Sequence, residues 1–150
     1  MIVLPPSAEV RIRSAVEAAF PNECCGVLLG RVTFGDLPHS DRREVVDVVP
    51  IDNSHDAAEQ FHRFTITPEQ YLAAELDAAR RGLDLLGFYH SHPEDLARPS
   101  EYDRLRALPN LSYIVVSAEA TPTGPAAREV TSWELSEDRS QFLPEALSPS

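Results

Sequence analysis

The chain predicts a fold of mixed α and β elements, the α+β class, in a single domain over residues 1–150. Three observations carry that expectation. Three segments have the apolar spacing of amphipathic helices. Between them lie short runs rich in Val, Ile and Leu, bounded by Gly, Pro and polar residues. At 150 residues and 43% hydrophobic, the chain is long enough to bury a core without disulfides or a structural metal.

Ser7 to Ala19 reads as the first helix, with Ala8, Ile12, Ala15, Val16 and Ala19 on one face, Ser7 as N-cap and Pro21 closing it. Cys25 to Val32 is apolar and bounded by glycine, as a buried strand is. Valine-rich Glu44 to Ile51 is a second strand, joined to it by a polar hairpin loop over Thr33 to Arg43. After a polar loop over Asp52 to Gln60, Phe61 to Ile66 reads as a third. The next helix has the strongest start in the chain. Thr67 is its N-cap, Pro68 occupies its first position, Gln70 completes a capping box, and Gly82 stops it after Arg81.

Leu83 to His92 is apolar on both faces through Tyr89, the pattern of a central strand, and ends in two histidines. Ser100 to Leu108 is a short helix stopped by Pro109, and Leu111 to Ala118 is a strand. Glu119 to Ala127 reads as a Pro/Gly/Ala loop, and Val130 to Leu135 as the last strand. The tail from Glu137 holds few apolar residues and is expected to fray beyond residue 140.

The formal net charge is -11, from 24 acidic and 13 basic residues, and every basic one is arginine. Scattered arginines on an acidic chain speak against a nucleic-acid partner. No apolar run reaches the roughly 18 residues of a membrane span, and Met1 to Pro6 lacks the features of a secretory signal. The expected location is therefore cytoplasmic, with no membrane partner. The two cysteines, Cys24 and Cys25, are adjacent, and a disulfide between neighbours is strained, which fits a reducing compartment.

Chemistry concentrates at the end of the central strand. His90 and His92, at i and i+2, point to one side of a strand and can converge on one ion. Asp103 supplies a third ligand if the chain turns over Pro93 to Pro99 and re-enters as a helix at Ser100. Ser100-x-x-Asp103 is also a capping box, so the segment has a purely structural reading as well. Three protein ligands leave a fourth position for water, as in catalytic zinc sites, and the chemistry then needs a proton acceptor outside the ligand set. His39, His55 and His62 read as ordinary solvated or hydrogen-bonded side chains.

Glu23-x-x-Gly26-x-Leu28-x-Gly30, together with His90-Ser91-His92-Pro93-x6-Ser100-x-x-Asp103, resembles the JAMM (MPN+) metalloproteases, in particular their small bacterial and archaeal members. The element order fits across roughly residues 5 to 140. The resemblance implies a curved mixed sheet flanked by helices, similar to that of cytidine deaminase. It implies one Zn2+ held by His90, His92 and Asp103 with a water as fourth ligand. Glu23 would be the general base, and Ser100 the hydrogen-bond donor to water or oxyanion.

The resemblance further implies cleavage after the diglycine C-terminus of a ubiquitin-like protein. The chain is compact, so the first choice is the tail of a bacterial sulfur carrier, either trimmed or relieved of an adduct such as cysteine. The substrate-binding residues stay open; the tail could add a strand to a sheet edge, and Pro93 to Pro99 borders the site. Three rivals are weighed beside this reading. A non-catalytic scaffold of the same fold would have lost ligands, and none is missing. A zinc hydrolase of small amides or esters has nothing against it. A cysteine nucleophile would need exposure and a positive setting, whereas Cys24 and Cys25 enter an apolar strand beside an acid.

Overall fold

A computed structural model describes residues 1–53 and 66–150. The strand expected over Phe61 to Ile66, and His55 and His62, lie outside the described residues apart from Ile66 itself. In chain order the elements are β1 (Ile2–Val3), α1 (Pro6–Ala19), β2 (Cys25–Thr33), β3 (Arg42–Ile51), α2 (Pro68–Arg80), β4 (Asp84–Pro93), α3 (Glu101–Arg106), β5 (Ser112–Thr121), β6 (Gly124–Leu135), β7 (Phe142–Glu145) and β8 (Leu147–Ser148).

The strands form one mixed sheet in the order β7-β6-β5-β4-β2-β3-β1-β8. Its two outermost strands, β7 and β8, are consecutive in sequence, so the sheet curves until its ends are nearly closed. The tail expected to fray is thus the element that joins them. Phe142 pairs with Leu135, Leu147 pairs with Ile2, and the Ile2 amide donates to the Ala146 carbonyl at 2.9 Å. A short strand with few apolar residues holds because its partners are already in place. The segment expected to be a loop over Glu119 to Ala127 is also mostly strand. There β5 and β6 form a hairpin with Thr121 opposite Gly124, and ladder hydrogen bonds hold alanines that have little β-preference of their own.

Strand alternation sorts the sheet's side chains into two cores. Leu28, Leu86, Tyr89, Ile114 and Val116 meet Ala8, Ile12 and Val16 of α1 on one face. Val27, Leu29, Phe88 and Tyr113 meet Ala78 of α2 and Ala107, just after α3, on the other. Fully burying Ile12 or Val16 contributes about 1.5–3 kcal/mol each, which holds α1 in place although its cap is weak. Ser7 is not that cap. Pro5 occupies the N-cap with no side-chain bond, because Pro6, which has no N–H to satisfy, starts the helix one residue early. In contrast α2 begins with the full Thr67/Gln70 capping box.

Strand β4 is central, antiparallel to β2 and parallel to β5, and α3 lies on the crossover between β4 and β5. Gly26 and Gly30 permit close approach along β2. A Cβ on Gly26 would stand 2.2 Å from the Tyr89 ring, and one on Gly30 1.8 Å from the Glu44 carbonyl oxygen. Among the described residues no helix is long and apolar enough to cross a membrane.

Candidate metal centre

The alternation that puts Phe88 on the α2/α3 face puts His90 and His92 there too, at the strand's end. Their ring centroids are 4.9 Å apart, and their Nε2 atoms face each other at 3.2 Å. Asp103 of α3 closes the group, its Oδ2 at 3.1 Å from His90 Nε2 and 3.3 Å from His92 Nε2. His90, His92 and Asp103 are all buried.

Glu23 enters through strand register. Cys25 pairs with His90 across β2 and β4, and continuing that antiparallel register by two residues sets Glu23 opposite His92. Its Oε1 lies 3.7 Å from His92 Nε2, and the residue is only 4% exposed. Glu23, His90 and His92 can bring one ligand atom each to within 4.8 Å of one another. Sequence reasoning assigned no role to the residues that fix this placement. Ser91, on the opposite face of β4, accepts from the Cys24 amide with its Oγ at 2.9 Å and donates its own amide to the Cys24 carbonyl at 3.1 Å. Asn53 donates its side-chain amide to the Glu23 carbonyl at 3.2 Å. Strand parity would have marked Ser91 as facing away from the histidines; its partner needed the register.

Both readings of Ser100-x-x-Asp103 hold. Ser100 caps α3, its Oγ accepting from the Asp103 amide at 3.1 Å, while its own amide donates to Asp103 Oδ2 at 2.7 Å. That carboxylate oxygen serves the cap and faces both imidazoles. Capping uses a lone pair of the Ser100 hydroxyl and leaves its proton for a further partner. Ser100 is exposed.

The donor set fits a cation. His92 Nδ1 lies 2.9 Å from the Leu96 carbonyl oxygen, which can only accept, so the neutral ring carries its proton on Nδ1 and presents a bare Nε2. His92 Nε2 then turns its lone pair toward a space bordered by His90 Nε2, Asp103 Oδ2 and Glu23 Oε1. Burial alone would lower the proton affinity of His92, but the hydrogen bonds to Asp103 and Leu96 and the nearby carboxylates outweigh it and raise its pKa. Burial alone would raise Asp103, yet the charge and hydrogen bonds of His90, with those of His92 and Ser100, hold it far below the usual carboxylate range. A metal ion would satisfy the same lone pairs.

The cysteines take no such part. Burial pushes the Cys25 thiol up to about 12, helped by Cys24, Glu23 and Asp52. Burial also raises Cys24, against the lowering effect of its hydrogen bond to Ser91. Neither presents a thiolate at neutral pH.

A curved mixed sheet with this His/His/carboxylate group at the end of its central strand defines the class. Residues 5–136 match the family model described as prokaryotic homologs of the JAB domain, and the chain belongs to that family. It is 36% identical over 104 residues, 69% of this chain and 68% of the other, to the desampylase of Haloferax volcanii. It is 35% identical over 78 residues, 52% of this chain and 51% of the other, to a probable TtuB-protein conjugate cleaving protease of Thermus thermophilus. Among solved structures, one of a protein from Desulfitobacterium hafniense matches with a TM-score of 0.73 at 31% identity, covering 100% of this chain and 94% of that one. A JAB1/MPN domain protein from Archaeoglobus fulgidus matches with a TM-score of 0.50 at 17% identity, covering 98% and 97%, a likeness of fold.

Proposed function

We propose that the protein, one domain over residues 1–150, is a zinc metallopeptidase. It hydrolyses the peptide or isopeptide bond after the diglycine C-terminus of a ubiquitin-like protein, in the first instance a bacterial sulfur carrier. The observation that carries the reading is the convergence of buried Glu23 on His92, within the group that His90 and Asp103 complete. The names of the two relatives, a desampylase and a conjugate-cleaving protease, favour a protein conjugate as substrate over a small amide.

His90, His92 and Asp103 would hold the zinc, which when bound supplies Lewis acidity and a water acidic enough to lose a proton near neutral pH. Glu23 then accepts the proton of the attacking water and returns it to the leaving nitrogen as the bond to carbon breaks. Ser91 and Asn53 hold the peptide unit that follows Glu23, by its Cys24 amide and its Glu23 carbonyl, so the carboxylate meets the water in one place. The Ser100 hydroxyl donates to the oxygen on which negative charge develops.

Mass spectrometry of a sulfur carrier extended beyond its diglycine, incubated with wild type and with Glu23→Gln, tests this. Wild type should release the extension. Glu23→Gln should bind the same amount of zinc and be slower by a factor of about 10² to 10⁴. Full activity of Glu23→Gln, or cleavage by zinc-free protein, contradicts the mechanism.

A further inference from the structure

A cavity of about 370 Å³ opens beside the metal centre, between α2, α3 and the sheet, within the size range of ligand pockets. Its walls are aromatic. Phe88 stands 5.9 Å from Tyr71 and 6.2 Å from Tyr113 between ring centroids, and Tyr102 closes another side. Arg106 is also in the lining. Its guanidinium stacks on the Tyr102 ring at 3.5 Å and donates to the Tyr102 carbonyl at 3.2 Å. Arg104, on the same helix, is bound to Glu101, whereas among the described residues Arg106 is held by Tyr102 alone.

His90 and Asp103 line this cavity, but Glu23 and His92 do not. That asymmetry orients a substrate. The leaving nitrogen must lie within reach of Glu23, which returns the proton, and so on the His92 side. The acyl chain, on the other side of the same carbonyl carbon, then runs toward His90, Asp103 and the cavity. At about 3.3 Å per extended residue, a side chain just upstream of two glycines lies roughly 7 Å from the carbon attacked, beyond the reacting group and on the side that the cavity occupies.

We infer that this cavity is the subsite for the carrier's tail upstream of the diglycine: it takes a bulky apolar side chain, and Arg106 at its wall selects a tail carrying a neighbouring carboxylate over one carrying a cation. The inference rests on the proposed orientation of Glu23, but the subsite can be read without any cleavage. Diglycine supplies no side chain for recognition, so selectivity has to come from residues before it. An apolar side chain gains from desolvation in an aromatic pocket, and a carboxylate gains from an arginine already fixed against a ring.

Fluorescence anisotropy of labelled tail peptides ending in Gly-Gly, bound to the zinc-loaded full chain, reads the subsite directly. Replacing an apolar residue before the diglycine, leucine for example, by alanine should weaken binding about tenfold. A tail with aspartate beside that residue should bind about threefold tighter than one with lysine, and Arg106→Glu should reverse the order. Equal binding of leucine and alanine tails, or a charge preference unchanged in Arg106→Glu, overturns the subsite. Cleavage of the same tails extended past the diglycine is scored separately. Selective binding without cleavage would keep the subsite and reject the peptidase reading, and cleavage without selectivity would do the reverse.

Discussion

Among the described residues, two buried polar clusters are built on opposite principles. Where the sheet closes, Arg43 is surrounded by acceptors. It pairs with Glu134, lies 3.2 Å from Glu145 Oε2, donates to Ser112 Oγ at 3.1 Å and reaches the Asn110 carbonyl at 3.2 Å. Ser132 donates to Glu145 Oε1 at 2.8 Å, and His39 lies 2.6 Å from Glu134. Burial would raise Glu134, but bonds from Arg43, Glu145 and His39 pull it below the ordinary range, while burial raises its neighbour Glu145. This cluster contains its own cation.

At the end of β4, by contrast, Glu23, His90, His92 and Asp103 bring two carboxylates and two imidazoles together. A buried charge left unpaired is costly, and a cluster made of lone pairs is stable only with a proton or a metal ion among them. The difference separates a cluster that serves structure from the one we propose for chemistry. The first completes a closed network that fastens β3 to β6 and β7. The second gathers the imidazole and carboxylate donors that a catalytic metal ion takes.

The sharpest way to break that contrast is to remove the cation that the first cluster owns. Arg43→Ala should cost about 3–5 kcal/mol in chemical denaturation, because Glu134 and Glu145 would stay buried and unpaired. Folded at low temperature, the variant should keep its zinc and its turnover. A change below about 1 kcal/mol would mean the closure is held by packing alone.

A smaller effect is expected where the two clusters differ in tolerance of position. Ser91→Ala removes the clamp on Cys24 and should lower kcat about tenfold, with KM and zinc content unchanged, since a base displaced by a fraction of an ångström still leaves the ligands in place. Ser91→Thr, which keeps the hydroxyl, should recover most of the rate. Loss of zinc together with rate would show that Ser91 supports the histidines instead. Smallest of all, Cys24→Ala should change activity by less than about twofold, and a thiol reagent at pH 8 should leave wild type active, because burial holds both thiols protonated there. Stoichiometric inactivation by modification of Cys24 would reopen the nucleophile reading.

Much of the second cluster is written locally, and for that reason it was legible. A same-face histidine pair at the end of an apolar strand needs only parity, and Ser100-x-x-Asp103 needs only helix geometry. The part of Glu23 is different. It depends on Cys25 pairing with His90 across two distant strands, which no local pattern states; the resemblance to a family supplied it. The first cluster was invisible for the same reason. Arg43, Glu134 and Glu145 meet only because β7 and β8 close the sheet, in a tail whose sparse apolar residues predicted fraying. The hairpin of β5 and β6 was likewise hidden under Ala, Pro and Gly, where pairing outweighs propensity.

The proposed function requires that the β4 cluster takes a metal ion and that Glu23 stands outside the ligand set. Native mass spectrometry of the protein reconstituted with zinc, as wild type, Glu23→Ala and His92→Ala, tests both halves at once. One zinc per chain in wild type and in Glu23→Ala, and none in His92→Ala, is the result expected. Zinc lost from Glu23→Ala, or retained in full by His92→Ala, would contradict it.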